Sequence, residues 1–165
     1  MTEEPASPPC YADGAGDAYM GYARPEEIVS ALNELLEAER AGARVALAGG
    51  KYRAEPDYAE LMRDVRKDEA RWCAMLSRHL KRLGAAPSRR TGAFHAKAMA
   101  VPEPWDRLAF LNRGQAWVVR KLETLTPRIR DDSLHADLHA MLESHRANVA
   151  RADALLDGGK RCSGQ

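Results

Sequence analysis

Four side chains interrupt what would otherwise be apolar helix stripes, and each is of a type that can do chemistry. Glu39 lies in "LNELLEAERAG", Glu69 in "RKDEARWCAM", Gln115 in "LNRGQAWVV" and His145 in "MLESHRANV". Two carboxylates, an imidazole and an amide brought together inside a protein can hold a transition-metal ion. They can also share protons in a metal-free network, or receive the polar end of a small molecule. Trp72 follows Glu69 by three residues, where a histidine would complete a Glu-x-x-His pair on one helix face.

The elements that must position these groups follow from apolar periodicity. A first helix starts at Pro25, with Glu26 and Glu27 behind it. It carries Ile28, Leu32, Leu35, Glu39, Gly42 and Ala46 on one stripe and ends at Gly49-Gly50. A second helix, "EPDYAELMRDVRKDEARWCAMLSRHLKRLG", places Leu61, Val65, Glu69, Trp72, Leu76, Leu80 and Leu83 inward and stops at Gly84. A long connection, "AAPSRRTGAFHAKAMAVPEP", holds one short helix near Ala93 to Met99. A third helix, "EPWDRLAFLNRGQAWVVRKLETL", turns Leu108, Leu111, Gln115, Val118 or Val119, and Leu122 inward, and Pro127 breaks it. A fourth helix is capped by Asp131 or Asp132 and closed by Gly158-Gly159. Leu134, Leu138, Met141, Leu142, His145, Val149, Ala152 and Leu155 or Leu156 face inward on it.

No stretch alternates with period two, so the chain reads as all-α: two antiparallel helical hairpins joined by a long crossover. Glu39 and Glu69 are centred on the loop "GGKYRAEPD", and Gln115 and His145 on the segment just after Pro127, so each pair sits at one level of its hairpin. Both pairs have the same separation, which brings all four groups to one level of the bundle.

Residues 1–24, with Pro, Gly, Asp and Tyr in no period, read as an arm that Tyr11, Tyr19 and Tyr22 pin to the domain. Residues 25–157 are the helical domain and 158–165 a frayed tail. In 165 residues, 25 Lys and Arg balance 24 Asp and Glu, so the charge of +1 implies no nucleic-acid partner. Cys10, Cys73 and Cys162 are too scattered for a disulfide framework or a Cys-x-x-Cys metal pair. The start "MTEEPASPPC" lacks a signal-peptide pattern and no window is apolar enough to cross a membrane, so a cytoplasmic protein without a membrane partner is expected.

With these residues in place, residues 25–157 resemble the ferritin-like superfamily, and the "PPCY" and "YMG" pieces of the arm look like those of a bacterial subfamily with a degenerate two-iron motif. The family places Glu, Glu-x-x-His, Glu and Glu-x-x-His on its four helices around two iron ions. The resemblance carries the first ligand to Glu39 and the second to Glu69. It leaves Trp72 at a histidine position and Gln115 at the third glutamate. The fourth helix offers either His145 with Asn148 or Leu142 with His145.

The resemblance therefore implies either an altered metal centre or a metal-free polar core. In the first, iron or another transition metal is held by Glu39, Glu69, Gln115 and His145 in an oxidoreductase. In the second, no cofactor is present, the carboxylates share a proton or pair with His145, and Gln115 and the Trp72 N–H close the hydrogen bonds. The second is the reading preferred, with action through the surface, as in a homodimer using the outer helix faces, or through a small-molecule ligand in a cavity next to Trp72.

Other groups read as structural. His135 and His139, near Asp132 and Asp137, are spaced i, i+4 but flank the core stripe; Cys73 is a packed thiol; and His79 and His95 have no partner the sequence identifies. Neither a phosphate loop nor a nucleophile elbow is present.

Overall fold

The computed structural model describes residues 16, 19–52 and 55–162, with side chains to Gly158. Its helices are α1 (Pro25–Gly49), α2 (Pro56–Arg82), the short α3 (Phe94–Met99), α4 (Pro104–Leu125) and α5 (Asp132–Cys162), with a 3-10 turn at Thr126–Arg128 between the last two. No strand occurs among the described residues.

The helix ends follow local chemistry. Pro25 opens α1, where the Arg24 N–H donates to Glu27 Oε2 at 2.8 Å. α2 closes with the Gly84 N–H on the Lys81 carbonyl and the Ala85 N–H on the Leu80 carbonyl. That motif needs Gly84 at φ +72°, a conformation costly for any residue with a Cβ. Of the two aspartates at the start of α5, Asp131 is the cap: its Oδ1 accepts the Leu134 N–H at 2.7 Å.

α1 pairs with α2 and α4 with α5, and the hairpins close through α2 on α5 and α1 on α4. Cross-links between them run antiparallel: Glu34 with Lys121 between α1 and α4, Glu27 of α1 with Arg128 in the turn after α4, and Asp64 with Arg151 and Arg78 with Asp137 between α2 and α5. α3, inside the crossover, packs on α1 and α4.

The buried side chains fall into two apolar clusters. One holds Leu35, Trp72, Leu76, Leu122 and Leu138 with their neighbours, the other Val45, Leu61, Val65, Leu111 and Ala152 with theirs. On every long helix the break between the clusters is a polar residue: Glu39, Glu69, Gln115 and His145, all buried. The stripe interruptions in the sequence are thus one polar layer across the bundle.

The structure departs from the sequence reading in several places. Leu83 is 43% exposed, because α2 has ended at Arg82 and the chain is leaving the stripe. On α5 the inward face steps from His145 to Asn148 and Ala152, leaving Val149 half-buried; a step of three restores the 3.6-residue period after the step of four from Met141. Of the alternatives on α4, Val118 is buried and Val119 half-buried. α5 does not stop at Gly158-Gly159 but continues to Cys162, a helical glycine being a cost of only about 1 kcal/mol. Tyr19 is 86% exposed and Tyr22 half-buried, and the arm is instead tied by the Ala23 N–H to the Arg128 carbonyl at 2.8 Å. Tyr11 lies outside the described residues. No helix among the described residues is long and apolar enough to cross a membrane.

Candidate functional site: a polar layer and the cavity beside it

The polar layer is wired across the diagonals of the bundle. His145 on α5 reaches Glu39 on α1, Nε2 to Oε1 at 3.0 Å, and its Nδ1 faces the Met141 carbonyl at 3.0 Å. A carbonyl only accepts, so Nδ1 carries a proton. Nε2 then either donates to an ionised Glu39 or accepts from a protonated one, and the two residues share one acidic proton. Burial works against an imidazolium here, but the charge and hydrogen bond of Glu39, helped by the Met141 carbonyl and Asp68, outweigh it and raise the His145 pKa above its ordinary value.

The second diagonal joins α4 to α2, with Gln115 Nε2 donating to Glu69 Oε1. Burial first, and the Glu39 charge second, hold Glu69 well above the usual carboxylate range; the Gln115 bond opposes this and Asp68 adds to it. Burial therefore favours the protonated form of Glu69 over the charged one. In that form, with Oε1 accepting from Gln115, the proton sits on Oε2. That O–H, Glu39 Oε2 and Gln115 Oε1 are buried and have no protein partner.

Gly42 makes this packing feasible. A Cβ there would lie 2.6 Å from Glu69 Cδ and closer still to both carboxyl oxygens, so α1 passes over Glu69 only as bare backbone. The sequence reading treated Gly42 as one more stripe position; a mid-helix glycine facing a buried acid is the signal that could have marked it.

Trp72 departs from its expected role. It is buried in the first apolar cluster, but its indole N–H has no hydrogen-bond partner and does not close the network. The Arg71 guanidinium stacks on its ring at 4.4 Å. Asn148 turns away from the layer and donates to Asp68 Oδ2 at 3.1 Å, the oxygen that also accepts from Ser144 at 3.1 Å. Asp68 was hidden in a charge run in the sequence.

The remaining groups lie away from the layer. His79 is buried with Nε2 2.7 Å from Asp137 Oδ2, a hydrogen bond between α2 and α5 that sequence periodicity did not identify. His135 and His139 are exposed. Cys73 is a partly buried thiol whose pKa is pushed up to about 12, by burial first and then by the Glu39 charge, which suits packing and not nucleophilic attack.

Beside the layer, between α1 and α4, lies a cavity of about 460 Å³. Glu39, Gly42, Glu69 and Gln115 border its polar end, and Leu111, Val118, Phe94 and Phe110 form apolar wall. Trp72 is not part of that wall, so the cavity does not lie where the sequence reading put one. The crossover closes one side through Thr91, Gly92 and Ala93. It is fastened to α1 by the Ser88 N–H on Asn33 at 2.7 Å and by the Ser88 hydroxyl and Arg90 on Glu37 at 2.5 and 3.1 Å. Phe94 reaches the cavity because Gly114 has no side chain; a Cβ there would lie 2.6 Å from its Cζ.

This fold and its polar layer define a ferritin-like helical bundle. A crystal structure described as ferritin like, diiron-carboxylate proteins from Bacillus anthracis str. Ames matches with a TM-score of 0.71 at 15% identity, covering 80% of this chain and 96% of that one. The chain belongs to the family described as "Domain of unknown function (DUF6306)", whose model matches residues 26–154. No curated protein matches it.

Two iron ions, which the fold implies, do not fit the donors present. The layer offers two carboxylates and one imidazole, with the imidazole bound to one carboxylate and the amide to the other. Two divalent ions call for about four carboxylates to neutralise and bridge them. Among the described residues no group of three or more His, Cys, Asp or Glu is arranged to hold a metal ion.

Proposed function

We propose that the protein is a small-molecule-binding member of the ferritin-like fold, with a metal-free polar layer that serves as the hydrogen-bonding floor of a ligand cavity. The observation that carries this reading is that three residues bordering the 460 Å³ cavity, Glu39, Glu69 and Gln115, each keep a buried oxygen without a protein partner. Each unsatisfied buried group costs about 1–3 kcal/mol, and a ligand that both accepts and donates hydrogen bonds recovers that cost. The apolar wall selects a compact hydrophobic body. The floor selects a neutral polar head such as a hydroxyl, since the Glu69 O–H donates and the Gln115 and Glu39 oxygens accept.

The test is calorimetric titration with naphthol and with naphthalene, which has the same body and no polar head. Naphthol is expected to bind measurably and naphthalene at least about tenfold more weakly. Ala38→Phe, which fills the cavity from α1, should abolish binding while leaving the helical content intact. Equal affinity for the two probes, or binding that survives Ala38→Phe, sinks the reading.

A further inference from the structure

A second opening follows the same two helices. It is a cleft of about 350 Å³ bordered on α1 by Glu27 and Ala31, and on the other side by Trp117, Arg120, Lys121 and Thr124 of α4, with Arg128 beyond. Trp117 borders both this cleft and the cavity, and the Glu34–Lys121 ion pair lies at the seam, Glu34 bordering the cavity and Lys121 the cleft. The two spaces are therefore consecutive stretches of one groove between antiparallel helices.

Their chemistry differs. The cavity is apolar with a neutral polar floor, whereas the cleft carries three cationic side chains against one carboxylate. Glu27 is already engaged by the Arg24 N–H and by Arg128 at 3.4 Å. Lys121 pairs with Glu34, but Arg120 has no ion-pair partner among the described residues. Its five donors are free to meet an anion in the cleft. Trp117, 39% exposed, offers a flat apolar surface between the two stretches, with Lys121 Nζ 5.7 Å from its ring centre.

We infer that this cleft binds the anionic group of the ligand whose apolar body fills the cavity, with Arg120 as the principal contact and Lys121 as the second. The inference rests on the ligand-binding reading above and narrows it: the ligand is an organic anion, carboxylate or phosphate, with a neutral polar group at its other end. Gln115 and Arg120 lie five residues apart on α4, roughly 8 Å along the axis, which sets the separation of the two ends.

The experiment compares naphthol with a hydroxynaphthoate whose hydroxyl and carboxylate sit at opposite ends of the ring system, by calorimetry at low salt. The hydroxynaphthoate is expected to bind roughly tenfold more tightly, the contribution of a charge-assisted hydrogen bond. In Arg120→Gln combined with Lys121→Gln the affinity ratio should fall to about one. Arg146→Gln removes a positive charge that pairs with Glu123 and Glu143 elsewhere, and the ratio should persist in it. A ratio near one in the wild type, or one that survives the double substitution, overturns the cleft and leaves the cavity reading standing. Failure of both probes to bind overturns both.

Discussion

Gly42→Ala is the substitution that tests the close approach of α1 to Glu69. In an exposed helix, replacing glycine by alanine stabilises by about 1 kcal/mol. Here the new methyl would lie 2.6 Å from Glu69 Cδ, roughly 1 Å short of an ordinary carbon–carbon contact. Glu69 is buried and held by Gln115, so it cannot swing clear without losing that bond. Overpacking of this kind costs about 1–3 kcal/mol and the lost hydrogen bond about 1 kcal/mol. Set against the helix gain, the net effect is a loss of about 1–3 kcal/mol. In a Glu69→Ala background the obstruction is gone, and the same substitution should stabilise by about 1 kcal/mol. Urea unfolding followed by helical circular dichroism reads both effects as midpoint shifts at constant slope. Stabilisation by Gly42→Ala in both backgrounds, or additivity of the two changes within about 0.5 kcal/mol, would refute the close approach of α1 to Glu69.

Three further outcomes follow from the same layer. Glu69 has a folded pKa above its unfolded value near 4.5, so the stability it contributes is full below that value and falls as the pH rises from there through the folded pKa. Glu69→Gln should remove this slope, roughly 1 kcal/mol per pH unit, and leave the protein as stable as wild type or more so near neutrality; a steeper loss with pH in the variant would contradict a raised Glu69 pKa. His145 is also raised, so its pairing with Glu39 is worth most below pH 6.5 and fades as the pH rises through the folded pKa. In Glu39→Ala burial is opposed only by the Met141 carbonyl and Asp68, and NMR titration should find the His145 pKa lowered from its wild-type value; an unchanged value would show that Glu39 does not set it. Protein purified without tag or chelator from cells supplied with iron, manganese and zinc should carry no stoichiometric metal and keep its melting temperature in EDTA. Near-stoichiometric metal lost in Glu69→Ala or His145→Ala would overturn the metal-free reading.

Much of this architecture is legible in the residues because helix stripes obey one period. The four interruptions at Glu39, Glu69, Gln115 and His145, matched in spacing between the two hairpins, locate the polar layer before any contact is known. The wiring is not legible. Nothing in the spacing says that His145 meets Glu39 and Gln115 meets Glu69, since that depends on which helices stand diagonally opposite. The expectation for Trp72 failed for a related reason: periodicity turns a residue inward but does not say toward which level of the core its N–H points. The cavity was unreadable because it is made by a crossover without periodicity, pinned through Ser88 and Arg90, and by a phenylalanine lying on Gly114.

The two diagonals are unequal, and the inequality locates whatever function the layer has. On the Glu39–His145 diagonal the imidazole is fully used, one nitrogen on a carbonyl and the other on a carboxylate, and only Glu39 Oε2 is unpaired. On the Glu69–Gln115 diagonal each residue keeps one unpaired polar atom, and both border the cavity. A purely structural layer would gain from exchanging Glu69 and Gln115 for apolar residues of similar size, because a half-satisfied buried pair is worse than an apolar one. Apolar residues already occupy the levels immediately above and below, so the fold does not require polarity there. In the proposed function these residues supply the hydrogen-bonding floor that meets the polar head of the ligand. Replacing Glu69 and Gln115 together by leucine should therefore raise the urea midpoint and abolish naphthol binding. A destabilised double variant would instead show that the pair is there to hold the bundle.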